Sequence, residues 1–362
     1  MTSAPVPSTQ FALPQQPEGV AWPTAEWEQG PQLTGDPGAL AALLDPVFST
    51  PETPELGQSL ALVAVQGGRI VAERYGPGVA PTDTLISWST AKSMTHAAVG
   101  LLMADGLLDP TRPAPVAEWS ADGDPRAAIT IDDLLAMRSG LHFLEDYLDD
   151  TASDCLEMLW GSGADDVAHY AASQDLEHPV DTVFNYSSGT TNIVSRIIGD
   201  VLVGRSAAGS STAQQREAAM RAFLRERLFG RIGMASAEPR FDAAGTWVGS
   251  SYVFATARDF ARFGLLYLRD GVWDGARLLP AGWVDSARTI RSTDPDDGTW
   301  YGHHWWVRGD DVGTFWAAGY EGQMISCVPA LDLVVVRLGK TPADLKEHRE
   351  RFWRDVLDCF RP

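Results

Sequence analysis

A serine and a lysine three residues apart, Ser89 and Lys92, stand in the segment Ser87-Trp88-Ser89-Thr90-Ala91-Lys92-Ser93-Met94. A serine hydroxyl is a poor nucleophile until a neighbouring base takes its proton. If Ser89 opens the helix that runs on toward Gly106, Lys92 lies one turn later on the same face, within reach of that hydroxyl. An ordinary lysine is protonated at neutral pH, so this one must be desolvated or placed near other cations to act as a base. The apolar helix around it offers that desolvation, and the helix N-terminus aims backbone N–H groups where an oxyanion would form. Lysine is scarce here: of 28 basic residues only Lys92, Lys340 and Lys346 are lysines. Taken alone, the tetrapeptide fits an ordinary Ser and Lys on a solvated helix face equally well.

Two further segments follow in chain order. Phe184-Asn185-Tyr186-Ser187-Ser188-Gly189-Thr190-Thr191-Asn192 puts a tyrosine on a short polar turn before a helix-like run. Trp316-Ala317-Ala318-Gly319-Tyr320-Glu321-Gly322-Gln323 reads as a strand ending in glycines that let a backbone approach a substrate closely. Together with Ser89 and Lys92 these supply a nucleophile, two proton-transfer groups and an edge-strand donor.

The elements that must position these residues can be read around them. Ser59 to Tyr75 is two β-rich runs around Gly67-Gly68, a hairpin signal. Tyr301 to Val307, Thr314 to Ala318, Met324 to Val328 and Leu333 to Leu338 read as meander strands, and Pro342 to Phe360 as a helix able to cover one sheet face. Helical signals dominate between Thr90 and Arg288; Thr130 with Asp133 and Thr256 with Asp259 mark helix starts, and Gly271 closes the second helix. The expected fold is therefore mixed α/β of the α+β kind. An antiparallel sheet built from both chain ends (about 55–90 and 290–362) is flanked by helices, with a mostly helical subdomain (about 91–289) inserted and the site in the cleft between. A polar N-terminal extension, residues 1–35, precedes the domain at 36–362.

Composition excludes several function classes. Against the 28 basic residues stand 48 acidic ones, a formal charge of −20 on 362 residues. Without a basic cluster to reverse it locally, that charge repels phosphate backbones, so no nucleic-acid partner is expected. No apolar run is long enough to span a membrane, and the Pro- and Gln-rich stretch Met1 to Gly30 lacks the parts of a secretory signal, which predicts a cytoplasmic protein. Cys155, Cys327 and Cys359 are odd in number and lack metal-ligand spacing. The seven histidines (His96, His142, His169, His178, His303, His304, His348) form no H-E-x-x-H, so neither metal nor cofactor is expected. His96, one turn beyond Lys92, reads better as a core histidine than as a site residue. Trp300, Trp305, Trp306 and Trp316 could line an apolar pocket, although core packing explains tryptophans as well.

The three ordered segments resemble the S-x-x-K, Y-x-N and K-T-G elements of the serine β-lactamase and penicillin-binding superfamily. Within it the chain is most similar to the class C-type branch of β-lactamase-related hydrolases, which includes esterases and 6-aminohexanoate-dimer hydrolases. Ile86-Ser87-Trp88-Ser89, Leu134-Leu135-Ala136-Met137-Arg138-Ser139-Gly140-Leu141, Tyr186-Ser187-Ser188-Gly189 and Gly319-Tyr320-Glu321-Gly322-Gln323 carry the likeness, over roughly Ser59 to Lys340. The resemblance implies that Ser89 is acylated, that Lys92 is its general base and that Tyr186 passes the proton to the leaving group. It also implies an oxyanion hole made by the backbone N–H groups of Ser89 and Tyr320, with Tyr147 of Glu145-Asp146-Tyr147 holding a leaving amine.

Two departures bear on the substrate. Ser188 replaces the asparagine of Y-x-N, and Ala317 replaces the lysine of K-T-G, which in that superfamily helps hold a substrate carboxylate. β-Lactam or D,D-peptide hydrolysis is thereby disfavoured. The acidic neighbours Asp146, Asp149, Asp150 and Glu321 would tolerate a free amine, although surface acidity is the better explanation of carboxylates there. Trp316, Gly319, Gln323 and Ser188 join Asp146 and Glu321 as candidate substrate-binding residues. The expectation is a cofactor-free serine hydrolase, monomer or homodimer, acting on a small amide or ester. The alternatives are a carboxylesterase, a β-lactamase or D,D-peptidase, and a catalytically silent binding module of the same fold.

Overall fold

The computed structural model describes residues 10–147, 153–204 and 212–362. Both ends of the chain meet in one eight-stranded sheet, ordered Arg69–Tyr75, Gln58–Gln66, Leu333–Lys340, Gln323–Val328, Phe315–Gly319, Trp306–Val307, Trp300–Tyr301 and Ser292–Thr293. Every pair is antiparallel, and the Gly67-Gly68 turn joins the hairpin, both glycines having positive φ. Val63 sits opposite Val336 on one neighbour and Glu73 on the other.

Side chains alternate across a strand, so each central strand feeds two cores. Leu62, Ala64 and Val335 pack with Leu40, Leu44 and Phe48 of the helix Pro37–Ser49 and with Phe352, Trp353 and Val356 of the helix Lys346–Asp358. Ala61, Val63, Val334 and Val336 face the opposite way, into the core shared with the helix Ala257–Leu268 and the helical middle of the chain. Thr130 and Asp133 form the reciprocal cap expected of them, and the Thr256 side chain accepts from the Asp259 N–H. The middle is not purely helical: Leu85–Ile86, Val253–Ala255 and Glu238–Pro239 make a small three-stranded sheet beside the main one.

The stretch Tyr301 to Val307 departs from its reading as one strand. It is two short strands folded on each other, broken at His304, whose backbone is left-handed (φ 54°). The break sends Trp305 wholly into the core while Trp306 returns to the surface of the cleft, so the four tryptophans do not share one pocket.

Residues 10–35 run along the body as an ordered strap. Pro23 accepts from Arg262 Nε at 2.6 Å, Trp27 Nε1 donates to the Arg258 carbonyl at 3.2 Å, and Thr34 Oγ1 donates to the Phe360 carbonyl at 2.6 Å. Among the described residues no helix is long and apolar enough to cross a membrane.

Candidate active site

Ser89 lies in a 3₁₀ turn, Trp88–Thr90, that leads directly into the helix Ala91–Ala104. One turn on, the buried Lys92 brings Nζ to 2.9 Å from Ser89 Oγ, 2.9 Å from Ser188 Oγ and 3.1 Å from the Ser250 carbonyl. The i to i+3 spacing puts the two side chains on one helical face, and the tertiary fold adds the other two partners.

Tyr186 and Ser188 are set by the start of the helix Ser188–Leu202, where the Ser187 side chain caps the Thr190 N–H at 3.1 Å. The Tyr186 ring lies over Lys92 Nζ, 4.9 Å from its centroid. Burial raises the Tyr186 phenol above its usual range, while the Lys92 charge and hydrogen bonds to Ser89 and Lys92 pull the other way. The phenol therefore stays protonated at neutral pH and can give a proton.

Glu145 ties these groups together. Its Oε1 accepts from Ser188 Oγ at 2.6 Å and from the Tyr147 hydroxyl at 2.5 Å, and its Oε2 accepts from the Ser188 backbone N–H at 2.6 Å. Burial, then the Glu145 charge, holds the Tyr147 phenol well above its usual range. Asn185 fixes the loop that carries Glu145 by donating to the Leu141 and Phe143 carbonyls at 3.3 and 3.1 Å. Beneath the site, His304 Nδ1 donates to the Lys92 carbonyl at 2.9 Å and Nε2 accepts from Thr191 Oγ1 at 3.2 Å. Burial, with Lys92 nearby, pushes that imidazole down to about 3, so it is a neutral support. His96 is a core residue, stacked on Trp283 and bonded to the Tyr267 hydroxyl at 2.7 Å.

A cleft of about 640 Å³ opens over Ser89, with Tyr147, Tyr186, Trp306, Trp316, Gly319 and Tyr320 in its walls. Its far side carries charge of both signs. Lys346 pairs with Asp297 at 2.7 Å and Arg308 with Glu350 at 2.8 Å, whereas the Arg349 guanidinium has no hydrogen bond or ion pair among the described residues. Lys346, Arg349 and Glu350 carry no distinguishing sequence signal, since charges on a terminal amphipathic helix look like a solvated face. Ala317 is uncharged and packs into the core, not into the cleft wall.

Other candidates lie elsewhere. Ser188 sits behind Lys92, out of the cleft wall. Gln323 spends its amide on the Tyr320 carbonyl at 3.1 Å and on both polar atoms of Gly339, so it braces the turn. Glu321 accepts from Trp88 Nε1 at 3.3 Å, and Asp146 and Glu321 are both absent from the cleft wall among the described residues. Asp149 and Asp150 lie outside the described residues. Among the described residues no group of three or more His, Cys, Asp or Glu could hold a metal ion.

Strain is concentrated here. Eight described non-glycine residues have positive φ; four are aspartates, a residue type that tolerates it. The other four, Trp88, Met137, His304 and Glu321, all border the site, Met137 through its sulfur, which accepts from the Ser187 N–H at 3.4 Å. Such backbone costs of order 1–3 kcal/mol per residue and persists only where the surroundings fix it.

The β-lactamase family model matches residues 55–359. The 6-aminohexanoate-dimer hydrolase of Paenarthrobacter ureafaciens is 27% identical over 318 residues, covering 80% of this chain and 76% of that protein. The structure of a protein assigned as a 6-aminohexanoate-dimer hydrolase, from Bacillus anthracis, superposes with a TM-score of 0.72 at 21% identity, over 95% of this chain and 89% of the other. A family VIII carboxylesterase superposes with a TM-score of 0.62 at 13% identity, over 92% and 99%. With more than three quarters of its length inside the family match, the chain belongs to the β-lactamase family of serine hydrolases.

Proposed function

We propose that Ser89 is the acylated nucleophile of an amide hydrolase acting on short linear substrates such as oligomers of an ω-amino acid. The carrying observation is the set of three partners around Lys92 Nζ. The Ser250 carbonyl can only accept, and Ser188 Oγ, which gives its own proton to Glu145, must accept too. An unprotonated amine would spend both N–H groups on those partners, leaving its lone pair directed at the Ser89 hydroxyl 2.9 Å away.

In this reading Ser89 Oγ attacks the carbonyl carbon as its proton passes to Lys92. The N–H groups of Ser89 and Tyr320 take the oxyanion, and Tyr186 protonates the leaving nitrogen and is re-protonated by Lys92. Water then reverses the sequence, releasing the acid. Tyr147, its proton committed to Glu145, has a lone pair free to hold an amine N–H, which favours an amide over an ester. The mixed charge of the far wall suits a substrate with ionised ends, as does the likeness to a 6-aminohexanoate-dimer hydrolase.

The test is intact-mass spectrometry with p-nitrophenyl acetate, a cephalosporin and linear 6-aminohexanoate dimer, beside Ser89→Ala. An acyl adduct or turnover that vanishes in Ser89→Ala is expected, with the dimer cleaved and the cephalosporin spared. Labelling that survives the substitution would end the acyl-enzyme reading, and rapid cephalosporin turnover would replace the amide reading with a β-lactamase.

A further inference from the structure

The two N–H groups assigned to the oxyanion sit on separate elements, one in the turn Trp88–Thr90 and the other in the turn Tyr320–Gly322. Neither turn fixes its distance from the other. The residue flanking each donor, Trp88 before Ser89 and Glu321 after Tyr320, holds left-handed backbone, with φ of 44° and 58°. Neither residue type favours that region, so each turn needs support from outside itself.

The two flanking side chains meet. Trp88 Nε1 donates to Glu321 Oε2 at 3.3 Å, and the indole stands edge-on to the Tyr320 ring with centroids 5.8 Å apart. Trp160 and Tyr252 bracket the same indole at 6.3 and 6.1 Å, which keeps it from swinging away. Below them the backbones nearly touch. A Cβ added to Gly319 would lie 2.6 Å from the Ser87 carbonyl oxygen and 3.1 Å from Trp88 Cβ.

We propose that the Trp88–Glu321 contact is a strut that sets the spacing and orientation of the two oxyanion donors, making both positioning residues rather than groups that touch substrate. The inference rests on the acyl-enzyme reading above. Its physical basis is that donors help a transition state only when aimed at the oxygen, and a displacement of about 1 Å can cost on the order of 100-fold in rate. A positioning role also accounts for the carboxylate of Glu321 facing an indole N–H instead of the cleft.

The test compares Trp88→Phe, which keeps a ring but removes the donor, with Glu321→Ala, which removes the acceptor, and Glu321→Gln, which keeps one. Readouts are kcat and KM for p-nitrophenyl acetate, the rate of Ser89 phosphonylation by a fluorophosphonate, and the thermal midpoint. Trp88→Phe and Glu321→Ala should each lower kcat and the phosphonylation rate about tenfold with KM within about twofold, the double variant should lose no more than either single one, and Glu321→Gln should stay within about threefold of the parent. Because Glu321→Ala cuts the same bond from the other side, a Trp88 variant that fails to fold leaves the question decidable. Unchanged rates, losses confined to KM, multiplying losses in the double variant, or Glu321→Gln as slow as Glu321→Ala would each overturn the strut. Ser89→Ala separates the two levels: activity that survives it removes the acyl-enzyme and the strut together, whereas a silent Ser89→Ala beside a fully active Trp88→Phe removes the strut alone.

Discussion

Replacing Glu145 with glutamine tests how the site is held, because the change is nearly isosteric and reverses half of its hydrogen-bonding character. Three donors converge on this carboxylate: Ser188 Oγ and the Tyr147 hydroxyl on Oε1, and the Ser188 backbone N–H on Oε2. The backbone N–H cannot turn, so the new amide nitrogen must take the Oε1 side and face two hydroxyls that now have to accept. All three charge-assisted bonds become neutral ones, a loss of about 1 kcal/mol each. Glu145 is partly exposed, so screening brings the total to roughly 1–2 kcal/mol. In the proposed mechanism Lys92 holds the Ser89 proton in the transition state, with the Glu145 carboxylate one hydroxyl away through Ser188. The loss therefore falls mainly on the transition state, and kcat should drop about 5- to 30-fold. Steady-state hydrolysis of p-nitrophenyl acetate, with a thermal melt to show the fold intact, measures it; kcat and kcat/KM should fall together. A glutamine variant within twofold of the parent at every pH from 6 to 9 would refute the reasoning, since the carboxylate would then have no part in holding Ser188 and Lys92.

Three further outcomes follow from the same structure. Gly319→Ala places a methyl 2.6 Å from the Ser87 carbonyl, so the turns flanking Ser89 and Tyr320 must separate; activity should fall at least 100-fold, at a stability cost of about 1–3 kcal/mol, as read by kinetics and denaturant melts. Arg349→Ala removes the one cleft guanidinium without an ion pair among the described residues, and should raise KM about tenfold for linear 6-aminohexanoate dimer while leaving p-nitrophenyl acetate unaffected. Burial pushes the Asp242 carboxyl up to about 6 from 3.8, so the folded state binds this proton more tightly than the unfolded state. That contribution, of order 3 kcal/mol at most, is complete below pH 4 and is lost as pH rises through 6; Asp242→Asn should flatten this segment of the stability curve, and an unchanged slope would reject the assignment.

The parts of the site that could be read from the sequence are those built by local spacing. Ser89 and Lys92 meet because residues three apart share a helical face, and Tyr186 stands next to a helix start that Ser187 announces. Glu145 was visible only as a neighbour of Tyr147; its reach to Ser188 depends on Asn185 tethering a loop 40 residues upstream in the chain, and no periodicity encodes that. The N-terminal stretch misled for a related reason. It reads as polar, yet Leu13, Trp22 and Trp27 pack against the core and its carbonyls satisfy the buried Arg262, and a backbone carbonyl has no residue type to betray it.

The break at His304 makes the argument most sharply. Tyr301 to Val307 has the aromatic, β-rich look of a single strand, and histidine carries no strong turn signal. Where the chain reverses, the imidazole lies beneath Lys92 and bonds the Lys92 carbonyl and Thr191. Trp88, Met137 and Glu321 likewise hold backbone that their residue types disfavour, and each touches a segment that carries a site residue. Local preference predicts structure where nothing overrides it, so in this fold its failures gather where side chains from distant segments are forced to converge. A left-handed residue that is neither glycine, asparagine nor aspartate thus points to the site as directly as the S-x-x-K spacing does, although only the folded chain reveals it.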